Sequence, residues 1–481
     1  MAGYHIIMRL SSLLALFLVF AVPALAEGLP DLGDTAQIAF TPQMERRVGE
    51  AIMRDIRQHD PAYDADPEAT EYLNALGNRL VSNSPDARQD FEFFLVKDAT
   101  LNAFALPGGY IGVHTGTIVT AQSESELAAV VAHEIAHVTQ HHMARMVTKE
   151  GQLSTAMLAS VALAILARNS QLGSAAAAIG QASAITAQIG FTREFEREAD
   201  RIGFPILEKS GFDVRAMPSF FVRMQKAGRL YENNAPAYLR THPVTTERIA
   251  DAQNRIQDLP YKQTPDSLDF QLVRSKLRAG QGTSRDALAQ FESDLREKKF
   301  SNEIATRYGL AVALLRAQDP VRAGAELAPL LKEVEHPMLA GLAARIKQAN
   351  GDDKGAVAVL KQALVHYPNN RALNYACIEA LLRLGQNREA ASLLEDQLKN
   401  YPRDARLYAL QAQGYASLGK RLLQHQAQAE AYVLQGSLPA AIEQLQLAQK
   451  SGDGDFYQLS SVEARLRDLR VQLEQEMKEK K

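Results

Sequence analysis

Hydrophobic residues follow three arrangements along this chain of 481 residues. Near the amino terminus they form one run, Leu10 to Phe20, preceded by Arg9 and followed by Pro23 and Ala24-Leu25-Ala26. Beyond it the spacing changes from segment to segment. Thr41 to His59 and Ala69 to Val81 place apolar residues at helical intervals and predict helices, whereas Phe91 to Val96 predicts a strand. Asn102 to Leu106 and Tyr110 to His114 predict two strands joined by a tight turn at Pro107-Gly108-Gly109. Ser125 to Arg145 has no Gly or Pro to break it and predicts one amphipathic helix. A further helix begins near Thr246, and after Pro260 and Pro265 only helical spacing remains.

That last region is periodic. Gly351, Gly385 and Gly419 fall 34 residues apart, each between two amphipathic runs, and Pro368 and Pro402 end their units at the same interval. This is the tetratricopeptide period of a helix-turn-helix unit. Ala356 and Ala390 hold one phase where helices approach closely. Ala317 beside Gln318-Asp319, and Thr283 beside Gly282, place degenerate units in Asp266 to Val334. Arg421 to Gln449 is spaced more tightly around Gly436, and Ser461 to Lys478 reads as a polar capping helix. In such an array each unit packs on its neighbours, and the stack offers a concave surface to a partner protein. The expected division is therefore 1–26, 27–265 and 266–481.

Charge and cysteine content narrow the function. Lys+Arg 53 against Asp+Glu 56 leaves a net charge of -3, with no basic field for nucleic acid. The amino-terminal run reads as a secretory signal cut after Ala26, with Glu27 starting the mature chain. The one cysteine, Cys377, lies in an apolar helical stretch and cannot form an internal disulfide, so it reads as a buried thiol. Leu153 to Ala167 and Ser174 to Phe191 are apolar but interrupted by Arg168, Asn169 and Gln171. They are too short and broken for a membrane span; they read as buried helices over a cleft or as a flap that touches a membrane surface.

Chemistry enters with His133-Glu134-Ile135-Ala136-His137. Residues four apart share a helix face, so both imidazoles can reach one zinc ion while the Glu134 carboxylate stays free to move a proton. Residues of these types at this spacing suit hydrolysis of peptides, and the metal needs a third protein ligand. Downstream, Arg193-Glu194-Phe195-Glu196-Arg197-Glu198-Ala199-Asp200 opens a second, acidic helix.

With Asn102-Ala-Phe-Ala-Leu-Pro-Gly-Gly, these two motifs resemble the zinc peptidase family of HtpX and the CAAX prenyl proteases. The resemblance implies Glu196 as the third ligand, in competition with Glu194 and Glu198, and Asp200 as the catalytic-site carboxylate that orients a ligand imidazole. It also implies that His242, in Thr241-His242-Pro243, can take the metal's open position and switch the site off. From the residues alone, His242 is a loop histidine held by Pro243. His141 and His142, eight and nine residues beyond His133, have rotated away from the pair on the same predicted helix and are expected at the surface.

The whole reads as an α-rich α+β fold: a gluzincin-type peptidase domain with a small β-sheet, followed by an all-α tetratricopeptide solenoid. In zinc peptidases of this type a strand beside the active helix binds substrate as an added strand; the alternative is a hairpin that only packs against the helix. Exported members with a repeat domain imply more. They point to a periplasmic endopeptidase with one Zn2+ per chain and a chaperone-like part in assembly and quality control of outer-membrane β-barrel proteins. Those clients and the barrel assembly machinery would dock on the repeats. The alternative is a chaperone or adaptor whose zinc site is mostly closed.

Overall fold

The structure, a computed structural model, describes residues 41–86, 89–149, 193–230, 237–257, 259 and 264–479. The expected signal segment 1–26, the apolar stretch Leu153 to Phe191 and Pro260 lie outside the described residues.

The first helix, α1 (Pro42–His59), starts where the Thr41 hydroxyl accepts from the Met44 N–H and Pro42 fills the first turn. After β1 (Tyr63–Asp64) and α2 (Pro67–Val81) come β2 (Glu92–Val96), β3 (Ala103–Leu106) and β4 (Tyr110–His114). They form a four-stranded sheet in the order β1-β2-β4-β3. The expected hairpin of β3 and β4 is present, its turn set by Gly108 and Gly109 at φ of 77° and 88°. β2 lies parallel to β4, a pairing between strands not adjacent in sequence, and β3 is left at the edge.

A short α3 (Thr115–Thr120) leads into α4 (Glu124–Thr139), in which every residue is buried. The segment expected to be amphipathic is thus a core helix; Leu127, Val130, Val131 and Ile135 fill its surroundings. It also ends earlier than expected. His141 takes φ of 50°, the chain turns, and α5 (His142–Lys149) runs in a new direction. Helix α6 (Arg193–Lys209) lies along α4 so closely that a Cβ on Gly203 would stand 3.2 Å from the Ala132 carbonyl oxygen. Then follow α7 (Ala216–Leu230), α8 (Ala237–Thr241) and α9 (Thr246–Ile256).

The rest is helix pairs: α10 (Leu268–Gly280) with α11 (Ser284–Arg296), α12 (Glu303–Arg316) with α13 (Pro320–Glu333), and α14 (Pro337–Ala349) with α15 (Asp353–His366). Next come α16 (Arg371–Arg383) with α17 (Asn387–Asn400), α18 (Ala405–Ser417) with α19 (Arg421–Gln435), then α20 (Leu438–Gln449) and α21 (Phe456–Glu479). Gly351, Gly385 and Gly419 turn the chain within their pairs at φ of 79°, 71° and 69°, and Gln318 does the same at 63° in a degenerate pair. Cys377 is buried on α16.

Inside the array, units pack on their neighbours. They also meet the front half, at both ends and midway, where Asn370 donates to Glu71 at 3.3 Å. One hydrophobic cluster joins Leu73 of α2, Ile118 of α3 and Leu127 of α4 to Phe270 and Val273 of α10. Lys276 lies 2.5 Å from both Asp66 and Glu68, and the Ser267 N–H donates to Glu124 at 2.8 Å. At the far end, Arg54 on α1 pairs with Glu476 at 3.0 Å, and Gln58 donates to the Gln435 carbonyl at 2.9 Å. Gly436 leaves no room for a side chain there: a Cβ would meet Arg54 Cγ at 2.1 Å. The array therefore curls back onto the front half. No helix among the described residues is long and apolar enough to cross a membrane.

Candidate metal centre

Helix α4 carries His133 and His137 one turn apart on one face, with their Nε2 atoms 3.0 Å from each other. Glu196, on the neighbouring α6, places Oε2 3.4 Å from His133 Nε2 and Oε1 3.4 Å from His137 Nε2. Ligand atoms at the corners of a tetrahedron around zinc, with bonds of about 2.0–2.1 Å, stand roughly 3.3 Å apart. The three separations are near that length, the two to Glu196 reaching its different carboxylate oxygens. His242, just past α8, completes the group: one ligand atom from each of the four residues lies within 4.8 Å of the others, and all four are buried. Its Nδ1 is 2.9 Å from Glu196 Oε1 and its Nε2 3.4 Å from Glu134 Oε1, and Tyr238 stacks on its ring at 4.8 Å.

Glu134 is fully buried, and neither carboxylate oxygen has a hydrogen-bond partner. Burial holds its carboxyl above the usual range. An orphan of this kind is unfavourable in a dry interior. It fits a centre in which a cation and its water stand before the carboxylate.

Around the group, His133 Nδ1 lies 2.9 Å from Asp200 Oδ1, one helical turn beyond Glu196. Burial alone would lower His133, but Glu196 and Asp200 outweigh it and raise it to about 10; burial holds His137 well below its ordinary value. Of the three glutamates weighed on the acidic helix, only Glu196 enters the cluster. Glu194 is exposed, and Glu198 is half-buried and accepts from Arg145 at 2.9 Å.

Two residues of the centre escaped sequence reasoning. Arg248, on α9 and buried, donates to both oxygens of Asp200 at 2.6 and 2.8 Å, to Glu196 Oε2 at 2.6 Å and to the Pro243 carbonyl at 2.8 Å. The signal was the charge: three carboxylates exceed a divalent ion by one negative charge, which Arg248 balances. The other is His142, expected at the surface and found fully buried. The helix break at His141 turns it back behind His137, where the two Nδ1 atoms are 2.8 Å apart.

The edge strand approaches the same place. Ala105 and Leu106 of β3 line a small recess with Glu45, Pro107, His137 and Met143.

Comparison with known proteins agrees with this geometry. A model described as peptidase family M48 matches residues 67–256, and one described as tetratricopeptide repeat matches 348–414. The β-barrel assembly-enhancing protease of Escherichia coli K12 is 33% identical over 462 residues, covering 94% of this chain and 93% of that one. A putative β-barrel assembly-enhancing protease of Vibrio cholerae is 39% identical over 323 residues, 65% of this chain and 66% of that one. The mitochondrial metalloendopeptidase OMA1 of Schizosaccharomyces pombe is 30% identical over 198 residues, covering 40% of this chain and 55% of that one. Because the Escherichia coli match runs through peptidase and repeats alike, the chain belongs to the M48 metallopeptidases and, among them, to the β-barrel assembly-enhancing proteases.

Proposed function

We propose that this protein is a zinc endopeptidase of the periplasm that assists assembly of outer-membrane β-barrel proteins and degrades those that stall or misfold. The observation that carries the enzymatic part is the orphaned Glu134 carboxylate beside the His133, His137 and Glu196 cluster. The names of the relatives support the substrate class, and the signal-like amino terminus supports export, with cleavage after Ala26. The division into 27–265 for the peptidase and 266–481 for the repeats follows the change of pattern near Pro265. The repeats are the surface that reaches clients and the barrel assembly machinery.

His133, His137 and Glu196 would hold the ion. A bound zinc supplies a Lewis acid and a water with pKa near roughly 7. Glu134, buried beside the ligands with both oxygens unpartnered, would be the group that accepts a proton and returns it to the leaving amine. Asp200 holds His133 in orientation. Strand β3, at the sheet edge, offers its backbone to an extended substrate, which makes recognition independent of side-chain sequence.

Elemental analysis tests the ligand set. The purified chain should carry about one zinc, and His133→Ala, His137→Ala and Glu196→Ala should each lose most of it. Zinc retained by Glu196→Ala but lost by Glu194→Ala would mean that the third ligand is misassigned.

His242 is the gate. Seated in the cluster, it holds the position that water and substrate need, so His242→Ala should cleave a casein-like substrate several-fold faster. A slower rate would give His242 the opposite role, as a donor to the transition state.

A further inference from the structure

We propose that His142, held by Glu198 and Arg145, is a positioning residue that orients His137 toward the metal. In this arrangement each of the two histidines on α4 is backed by a carboxylate from α6. The inference rests on the reading of His133, His137 and Glu196 as a zinc site.

Proton accounting gives the direction of the contacts. The Nδ1 atoms of His137 and His142 are 2.8 Å apart, so one proton lies between them. The other ring nitrogen of His142, Nε2, faces Glu198 Oε2 at 3.3 Å. A carboxylate only accepts, so His142 Nε2 carries a proton, and with the ring neutral His142 Nδ1 is the acceptor. His137 then donates from Nδ1, and its Nε2 lone pair is left facing His133 and Glu196. Arg145 fixes the far end, its Nη1 donating to the same Glu198 oxygen at 2.9 Å.

The other histidine has a carboxylate at hand without a relay: Asp200 Oδ1 lies 2.9 Å from its Nδ1, at ion-pair distance but outside hydrogen-bond geometry. Glu198 cannot do the same for His137. Two residues from Glu196 on a helix, it points about 200° away around the axis. His142 spans that gap.

The local fold is shaped for this contact. Helix α4 stops two residues after His137, and His141 enters the left-handed region at φ of 50°, which residues other than glycine rarely adopt. Glu45 of α1 stands 3.2 Å from the His141 ring at that turn. The His142 ring then lies flat on Phe195, with centroids 4.6 Å apart and planes 18° apart, and Arg145 covers the same ring at 4.7 Å.

The test uses the full chain and measures zinc affinity by competition with a chelator, alongside thermal unfolding of the metal-free protein. His142→Leu keeps the volume and removes the acceptor; it should bind zinc about 10–100-fold more weakly. His142→Asn puts an amide oxygen where Nδ1 stood but cannot reach Glu198, and should bind zinc more tightly than His142→Leu, at about the level of Glu198→Ala. Glu198→Ala, at a half-buried position, should weaken zinc by about tenfold alone and by nothing further in a His142→Leu background. Zinc affinity unchanged in His142→Leu or in Glu198→Ala, His142→Asn as weak as His142→Leu, or additive effects in the double variant would each overturn the inference. Failure of the parent chain to bind zinc, or zinc binding undiminished in Glu196→Ala, would instead remove the underlying site.

Discussion

Glu134→Gln is expected to keep about one zinc per chain and to cleave a casein-like substrate ~10²-fold more slowly or worse, because an amide cannot take the water's proton. The substitution changes little else. Glu134 makes no hydrogen bond that the amide would break, and its nearest donor, His242 Nε2, stands 3.4 Å away, so neither the ligand set nor the fold depends on it. Metal analysis and a peptide-release assay on the same preparation decide the matter. Undiminished cleavage would end the proposed role of Glu134, and loss of zinc would place it among the ligands.

The second large effect concerns the fold. Arg248→Met should destabilise the metal-free chain by about 3–5 kcal/mol, the range seen when one partner of a buried ion pair is removed. The side chain is buried, and its four hydrogen bonds tie α9 and the Pro243 carbonyl to Asp200 and Glu196 on α6. Methionine fills a similar length but leaves the two carboxylates without the guanidinium that each of them accepts from. Adding Asp200→Asn should recover part of the loss by removing one of those charges. Denaturant unfolding reads both. A change under about 1 kcal/mol would mean that the pair behaves as a solvated one.

The site was legible where its chemistry is local. A spacing of four places His133 and His137 on one face whatever surrounds the helix, whereas Glu196 and Asp200 were singled out from Glu194 and Glu198 by the family resemblance, with which their spacing agrees. The repeats were legible because their turns need a left-handed residue at a fixed interval, which glycine supplies at three successive units. What stayed hidden depends on distant partners. Nothing between Ser125 and Arg145 marks a helix end; the break at His141 is met by Glu45, 96 residues earlier. Arg248 looks like any arginine on an exposed helix until Asp200, 48 residues away, is brought against it. The parallel pairing of β2 with β4 likewise follows from how the hairpin docks, which the strand pattern does not encode.

The return of the last helices to α1 has a consequence for how this architecture can vary. An open stack of repeats tolerates duplication or loss of a unit, since the free end simply moves outward or inward. Here Glu476 and the Gln435 carbonyl must arrive at Arg54 and Gln58, and Gly436 must present a bare backbone to the Arg54 side chain. One extra helix pair would carry all three past their partners by the thickness of a unit, and one fewer would leave them short. Length is therefore quantised by closure: point substitutions can drift along the array, but insertions of whole units are confined to chains that give up the junction with α1.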